Sequence, residues 1–243
     1  MAKTTGLGDD FLFGGYHLGS DIQQLTVGGG PALLDVTDIT QSAHSRLGGQ
    51  RAGTLSLTAF SDAAAGQEHA AFSPLSRSDI IATYLRGTTL GNPAACCNAL
   101  QLNYDYTRAA DGMLTEKIDL QSDGYGLEWG IQLTAGLRTD TTATTGTAYT
   151  DTGSTAFGAQ AYLQLVSFTG TSVDVTISHA TSSGGSYTTL IDFSAQTGRG
   201  AWRVATSNST TVNQYLKVNT AGTFTSAVFQ VSWVRNATAG IVF

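Results

Sequence analysis

The chain has 243 residues, 41% hydrophobic and 12% charged, which can supply the core of one large domain or of two ordinary ones. It contains 29 glycines, and most of its polar residues are uncharged, a balance typical of strand-and-turn proteins and not of helical ones. Residues 1–150 hold 8 Lys and Arg against 15 Asp and Glu, and residues 151–243 hold 4 against 3, for a net charge of −6. With an acidic first half and no basic stripe, the sequence excludes binding to nucleic acid through phosphate neutralisation.

The first residues, "MAKTTGLGDDFLFGG", contain no apolar segment of the signal-peptide kind, and no run is long enough to span a bilayer. We therefore expect a protein that is made and kept in a cytoplasm and has no membrane partner. The two cysteines, Cys96 and Cys97, are adjacent, and neighbouring residues rarely close a disulfide because the geometry is strained. The sequence predicts two small, semi-buried strand residues in a reducing compartment.

Residues 1 to about 50 alternate short apolar pieces with glycine clusters, as in "FLFGGYHLGSD" and "TVGGGPALLDV". This pattern predicts an extended arm followed by a long loop. Long loops without structure of their own are uncommon in compact domains unless they are functional or contact a partner.

The sequence "GTLSLTAF" at 53–60 predicts a strand with one apolar face, and the Ala-rich stretch that follows, up to Pro74, predicts a short helix. "DIIATYLRG" at 79–87 predicts another strand. Two further strands, "ALQLNYDY" and "LTEKIDLQS", alternate polar and apolar residues around the turn "TRAADG". Their polar residues predict a wet sheet face: Gln101, Asn103, Asp105, Lys117, Asp119 and Gln121.

Residues 139–154 are rich in Thr and hold hardly any large apolar residue, which predicts a flexible linker. Beyond it, about six short apolar segments separated by turns such as "FTGT" and "NTAGT" predict a β-sandwich. The fold class we expect is mainly β, with an N-terminal β-sandwich or barrel carrying one short flanking helix and a C-terminal β-sandwich. The predicted division is 1–138, the linker 139–154, and 155–243.

No pattern of reactive residues indicates an enzyme. The four histidines lack zinc-ligand spacing, "GYGLEWG" at 124–130 has no helix after it, and the three glutamates offer little for glycoside hydrolysis. We therefore predict no catalytic residues, no metal and no cofactor. Tyr187, Trp202 and Arg203 are candidates for a sugar-binding surface in the C-terminal sandwich, with core or interface packing as the alternative.

Residues from about 35 to 135, including "DVTDITQSAHSRLGGQRAGTLSLTAFSD", "GQEHAAFSPL" and "SDGYGLEWGIQL", resemble the major tail proteins, or tail tube proteins, of long-tailed phages, especially those of actinobacterial hosts. The C-terminal segment resembles the Ig-like or jelly-roll sandwiches that decorate such tubes. The resemblance implies homohexameric rings that stack into a tube through which DNA passes.

On that resemblance the polar strand face would line the lumen, where its acidic character keeps DNA from adhering. The arm and loop would join subunits through six apolar residues: Phe11, Leu12, Phe13, Leu33, Leu34 and Leu47. Further partners would be the tape measure, tail terminator and distal tail proteins, in a virion tail assembled in the host bacterial cytoplasm. The alternative is a capsid or tail decoration protein, or a host-surface protein that binds glycan.

Overall fold

The computed structural model describes residues 5–239, in which 16 strands and one five-residue helix confirm a mainly β fold. Thr, Val and aromatic residues favour extended backbone, and frequent glycines supply the turns between strands. The first half consists of β1 (Asp10–Phe13), β2 (Tyr16–His17), β3 (Ile22–Asp35), β4 (Arg46–Phe60), α1 (Glu68–Phe72), β5 (Ile80–Leu85), β6 (Pro93–Gln101), β7 (Asp105–Arg108), β8 (Leu114–Ser122) and β9 (Glu128–Gln132).

The second half consists of β10 (Arg138–Asp140), β11 (Thr144–Thr145), β12 (Tyr149–Thr150), β13 (Ala159–Ala180), β14 (Thr188–Gln196), β15 (Gly200–Ala205) and β16 (Tyr215–Arg235). All the strand pairs are antiparallel, and they join into one connected network. The strands predicted at 53–60 and 79–87 are confirmed by β4 and β5, and the predicted short helix by α1.

An antiparallel sheet forms from β3, β4 and β8, with β6 and β7 both on the far edge of β8. Its inner face is apolar: Leu55 and Leu57 of β4 pair with Leu120 and Ile118 of β8, and all four side chains are buried. Alternation along a strand turns the polar residues to the other face. The sequence prediction of strands with one wet face is confirmed here for β4 and β8.

Within the described residues, most of the region predicted as an arm and a long loop is instead paired strand, and residues 36–45 form the loop of a hairpin. Residues 1–4 of the predicted arm lie outside the described range. β1 pairs with β5, and Phe11, Leu12 and Phe13 are at most 2% exposed. β3 and β4 form one long hairpin whose pairing runs from Ile22↔Ala59 to Asp35↔Arg46. The glycine-rich pattern misled the prediction because glycines that suit a loop also fit a two-stranded ribbon with no side chains to pack.

The predicted turns "FTGT" and "NTAGT" are wrong, because both segments lie inside the long strands β13 and β16. These two strands pair with each other from Ala159↔Arg235 to Ala180↔Tyr215, with register shifts around Gly170. Gly170 has φ +156°, and a Cβ added there would lie 2.5 Å from Phe224 Cα. Gly222 has φ +110°, and a Cβ added there would lie 2.4 Å from Ser172 O. The two glycines therefore allow a distortion within a continuous pair of strands, at positions where the sequence predicts that the strands end in turns.

The Thr-rich stretch 139–154 differs from the flexible tether that its composition predicts. β10, β11 and β12 each pair with β16, and Arg138 forms two hydrogen bonds to the buried Asp140 carboxylate at 2.8 and 2.6 Å. Short polar strands have no apolar pattern by which the sequence could reveal them. They form here because β16, about 80 residues further along the chain, pairs with them.

Three apolar clusters fill the interior. One lies under the β3–β4–β8 sheet and includes Phe13, Phe72 and Ile118, and a second lies within the C-terminal half. The third joins Leu12, Ile81 and Leu85 to Tyr162 of β13, and β9 pairs with both β6 and β16. The two halves of the chain are thus packed together, while the domain division at 138 and 155 stays a prediction.

Candidate functional site

The outer face of the β3–β4–β8–β7 sheet carries almost only polar side chains, and we call it the polar face. Register places Thr54, Ser56 and Thr58 of β4 opposite Gln121, Asp119 and Lys117 of β8, and Asp105 of β7 opposite Lys117. Among the described residues, β3 pairs only with β4, and β7 pairs only with β8. The polar face therefore lies between two open strand edges.

Asp119 is the centre of the hydrogen bonds on this face. Its carboxylate accepts from Ser56 Oγ at 2.5 Å and from Asn103 Nδ2 at 3.1 Å, and Lys117 Nζ lies 3.0 Å away. Asn103 also donates to Asp105 at 2.7 Å. The hydroxyl and ammonium donors stabilise the charged form and lower the pKa of Asp119, so this carboxylate is ionised and fixed in place at neutral pH.

One of the six residues predicted to share the wet face lies on the other side of the sheet. Gln101 pairs with the buried Leu120 and donates from Nε2 to Phe72 O at the end of α1, at 2.9 Å. The strand is interrupted at residues 102–104 before β7 begins, and this break reverses the alternation. Asn103, Asp105, Lys117, Asp119 and Gln121 lie on the polar face.

The distal part of the β3–β4 hairpin, residues 30–52, stands out from the body, and we call it the ribbon. All of its residues are exposed except the half-buried Ser45 and Gly49. Leu33, Leu34 and Leu47, which the sequence predicts as contact residues, are 68%, 52% and 57% exposed. The other three predicted contact residues, Phe11, Leu12 and Phe13, are buried in the chain's own core and are therefore not accessible to a neighbour.

Sequence reasoning missed two further exposed apolar residues of the ribbon, Val36 and Ile39, which are 44% and 104% exposed. They stand near the hairpin tip, where Thr37, Asp35 and His44 form a local hydrogen-bond network. Isolated exposed apolar residues are common, but five lie on this one two-stranded segment. Leu33 and Leu34 are consecutive on β3 and point to opposite faces, so both faces of the ribbon carry apolar surface that another protein can cover.

The three residues predicted as a sugar-binding surface are held by intramolecular contacts. Arg203 forms an ion pair with the buried Glu128 at 3.3 Å and stacks over the Tyr125 ring at 3.7 Å. Trp202 packs on the C-terminal core, and Lys217 Nζ lies 4.1 Å from the Tyr187 ring centroid. Because Trp202 and Arg203 are consecutive on β15 they point to opposite faces, and the structure does not bring them together as one platform.

Within residues 5–239, no group of three or more His, Cys, Asp or Glu side chains is arranged to hold a metal ion. Both cysteines are free and buried, and burial raises the pKa of each thiol to about 12. No helix in the described part of the chain has the length and apolarity needed to cross a bilayer.

The sequence matches no protein-family model and no curated protein. Among solved structures, it is similar to a subunit in the tail of an empty gene transfer agent particle refined with C6 symmetry, with 15% identity, a TM-score of 0.38, and coverage of 45% of this chain and 81% of that one. A subunit of the native gene transfer agent virion gives 13% identity, a TM-score of 0.42, and coverage of 52% and 98%. The SPP1 Dit (gp 19.1) protein, a phage hub component, gives 10% identity, a TM-score of 0.34, and coverage of 93% and 99%.

Proposed function

We propose that this chain is a structural protein of a phage tail, and that its copies close into rings that stack into a tube. The proposal rests on the sequence resemblance to tail tube proteins together with one structural observation. That observation is a polar sheet face between two open edges, next to a ribbon exposed on both sides.

Open strand edges favour association because their unpaired N–H and C=O groups can continue the ladder in another chain. The edges of this sheet belong to different strands, β3 and β7. A contact between different patches is head-to-tail, and it produces a closed ring when the rotation per subunit is right. From the resemblance to tail tube proteins, we propose that each ring is a homohexamer.

The ribbon supports stacking. A ring that buried its sheet edges would still leave the ribbon's leucines in water, and covering these side chains favours contact with a second ring. Tape measure, tail terminator and distal tail proteins are the further partners we propose, with the virion tail, assembled in the host cytoplasm, as the location.

The polar face is the surface we propose for the channel. It offers hydroxyls, amides and three charged side chains, of which Lys117 is paired with Asp119. Asp105 is exposed and accepts a hydrogen bond from the uncharged Asn103, so it is the carboxylate that acts most directly on passing DNA. Repeated around a ring, a single weak charge adds up to a repulsive potential across a narrow channel.

Replacing Asp105 by Lys tests the channel assignment. We expect Asp105→Lys particles to assemble normally, since an exposed charge contributes on the order of 1 kcal/mol or less, but to eject DNA more slowly at low salt. The delay should shrink as salt rises, because the new attraction to phosphate is screened. The rate of DNA ejection is measured on single particles from the entry of a dye.

Asp192→Lys on the C-terminal strand β14 is the matched control. It makes the same change of charge at an exposed position away from the polar face, and we expect its ejection rate to equal that of the unmodified protein. Equal delays in both variants, or no delay in Asp105→Lys at low salt, would refute the channel assignment.

A further inference from the structure

Two glutamates are buried where α1 packs on the sheet. Glu68 of α1 and Glu116 of β8 are both 0% exposed, and the neighbouring Glu116 carboxyl helps to raise the pKa of Glu68. Both carboxyl oxygens of Glu116 are buried, and neither has a hydrogen-bond partner among the described residues. The other charge that acts on Glu68 is that of Asp21, which is also negative, so like charges surround the pair.

Two carboxylates in contact inside a protein cannot both remain ionised, because each loses its hydration and repels the other. A proton on one of them converts the repulsion into a hydrogen bond. We propose that Glu68 and Glu116 share one proton at neutral pH and that this proton holds α1 on the sheet. The inference is independent of the tail function proposed above.

The surroundings of the pair fit this state. Burial and the neighbouring Glu116 carboxyl raise the pKa of Glu68 to about 8. The Tyr104 hydroxyl donates to Glu68 at 3.1 Å, and burial raises the pKa of Tyr104, which keeps the donor protonated. Asp21 accepts from the backbone N–H of Glu68 at 3.1 Å, fixing the start of α1.

The shared proton has a route to solvent. Tyr104 Oη lies 3.0 Å from Tyr106 Oη and 2.9 Å from His69 Nδ1, and Tyr106 is 46% exposed. These two groups, with Tyr104 and Asp21, are the titratable groups that face the pair from the elements packed around it. Protons can therefore exchange along hydrogen-bonded side chains without opening of the core.

The pair makes stability depend on pH with a definite sign. The folded chain keeps a proton that the unfolded chain releases above the ordinary pKa of 4.5, so the folded state binds more protons and its stability falls as pH rises. The contribution is fully present below that value and is lost by about pH 8. At higher pH, both carboxylates are charged and α1 is repelled from β8.

The test compares the full chain with Glu116→Gln, an almost isosteric change whose amide donates to Glu68 at every pH. We expect unfolding at pH 6–7.5 to release about one proton more from the unmodified chain than from the variant, measured as the slope of unfolding free energy against pH. Asp123→Asn, which removes an exposed carboxylate, should keep the unmodified slope. His17, whose pKa the Asp10 hydrogen bond raises, contributes equally to all three chains and cancels.

A second measurement needs no variant to fold. At pH 7 the unmodified protein should show the infrared C=O stretch of a protonated carboxyl, and this band should disappear as pH rises through about 8. Over the same range, hydrogen exchange of the α1 amides should accelerate beyond the intrinsic effect of pH. An absent band at pH 7, or equal slopes for Glu116→Gln and the unmodified chain, would overturn the proposal.

Discussion

A chain in which residues 31–51 are replaced by an Asn-Gly turn is expected to fold and to form single rings but no tubes, because it keeps the sheet edges proposed for ring closure and lacks the ribbon proposed for stacking. Gly30 and Ala52 lie opposite each other in the hairpin, so a two-residue turn can close the shortened strands. The removed residues are nearly all exposed, so the melting temperature should change little. Negative-stain electron microscopy and sedimentation provide the measurements.

A milder variant separates the apolar contacts from the ribbon's backbone. Leu33, Leu34 and Leu47 changed together to Ser should lower assembly at least about tenfold, because burial of one leucine contributes ~1.5–3 kcal/mol and 1.4 kcal/mol is a factor of ten. Leu7→Ser, at an 88% exposed position outside the ribbon, is the control and should assemble normally. Tubes of normal length from the triple variant would show that the ribbon leucines play no part in assembly.

The second large effect is expected from a chain that ends at Thr150, which should fail to fold. The cut removes β16, which pairs with β9, and Tyr162, which packs on Leu12, Ile81 and Leu85. Full burial of such side chains contributes ~1.5–3 kcal/mol each, so uncovering three of them costs about 5–9 kcal/mol. That loss is comparable with the whole stability of a typical domain, ~5–15 kcal/mol.

The same cut leaves a buried charge without its partners. Glu128 accepts hydrogen bonds from Gln160 at 2.7 Å and from Arg203 at 3.3 Å, and it also accepts one from the Tyr162 hydroxyl. An uncompensated buried carboxylate is strongly destabilising. Circular dichroism and one-dimensional NMR should show no cooperative unfolding; a sharp melting transition would mean that the first half folds alone, as the sequence-based linker prediction requires.

Features that depend on spacing within one strand follow from the sequence alone. Alternation along β4 and β8 separated the apolar from the polar face, because side chains of a strand point to opposite sides with a period of two whatever the partner is. The mainly β class follows from composition, because many glycines and uncharged polar residues are typical of strands and turns. Lys117, Asp119 and Gln121 were placed on the polar face from this pattern alone.

Features that depend on a distant partner were decided only by the tertiary structure. Phe11 to Phe13 belong to the core because β5 pairs with β1, and Gly170 bends a strand because β16 continues beside it. Glu68 and Glu116 meet although 48 positions separate them in the sequence. An apolar run or a glycine has the same local pattern in an arm, a loop or a buried strand, and its role is fixed by which segment packs against it.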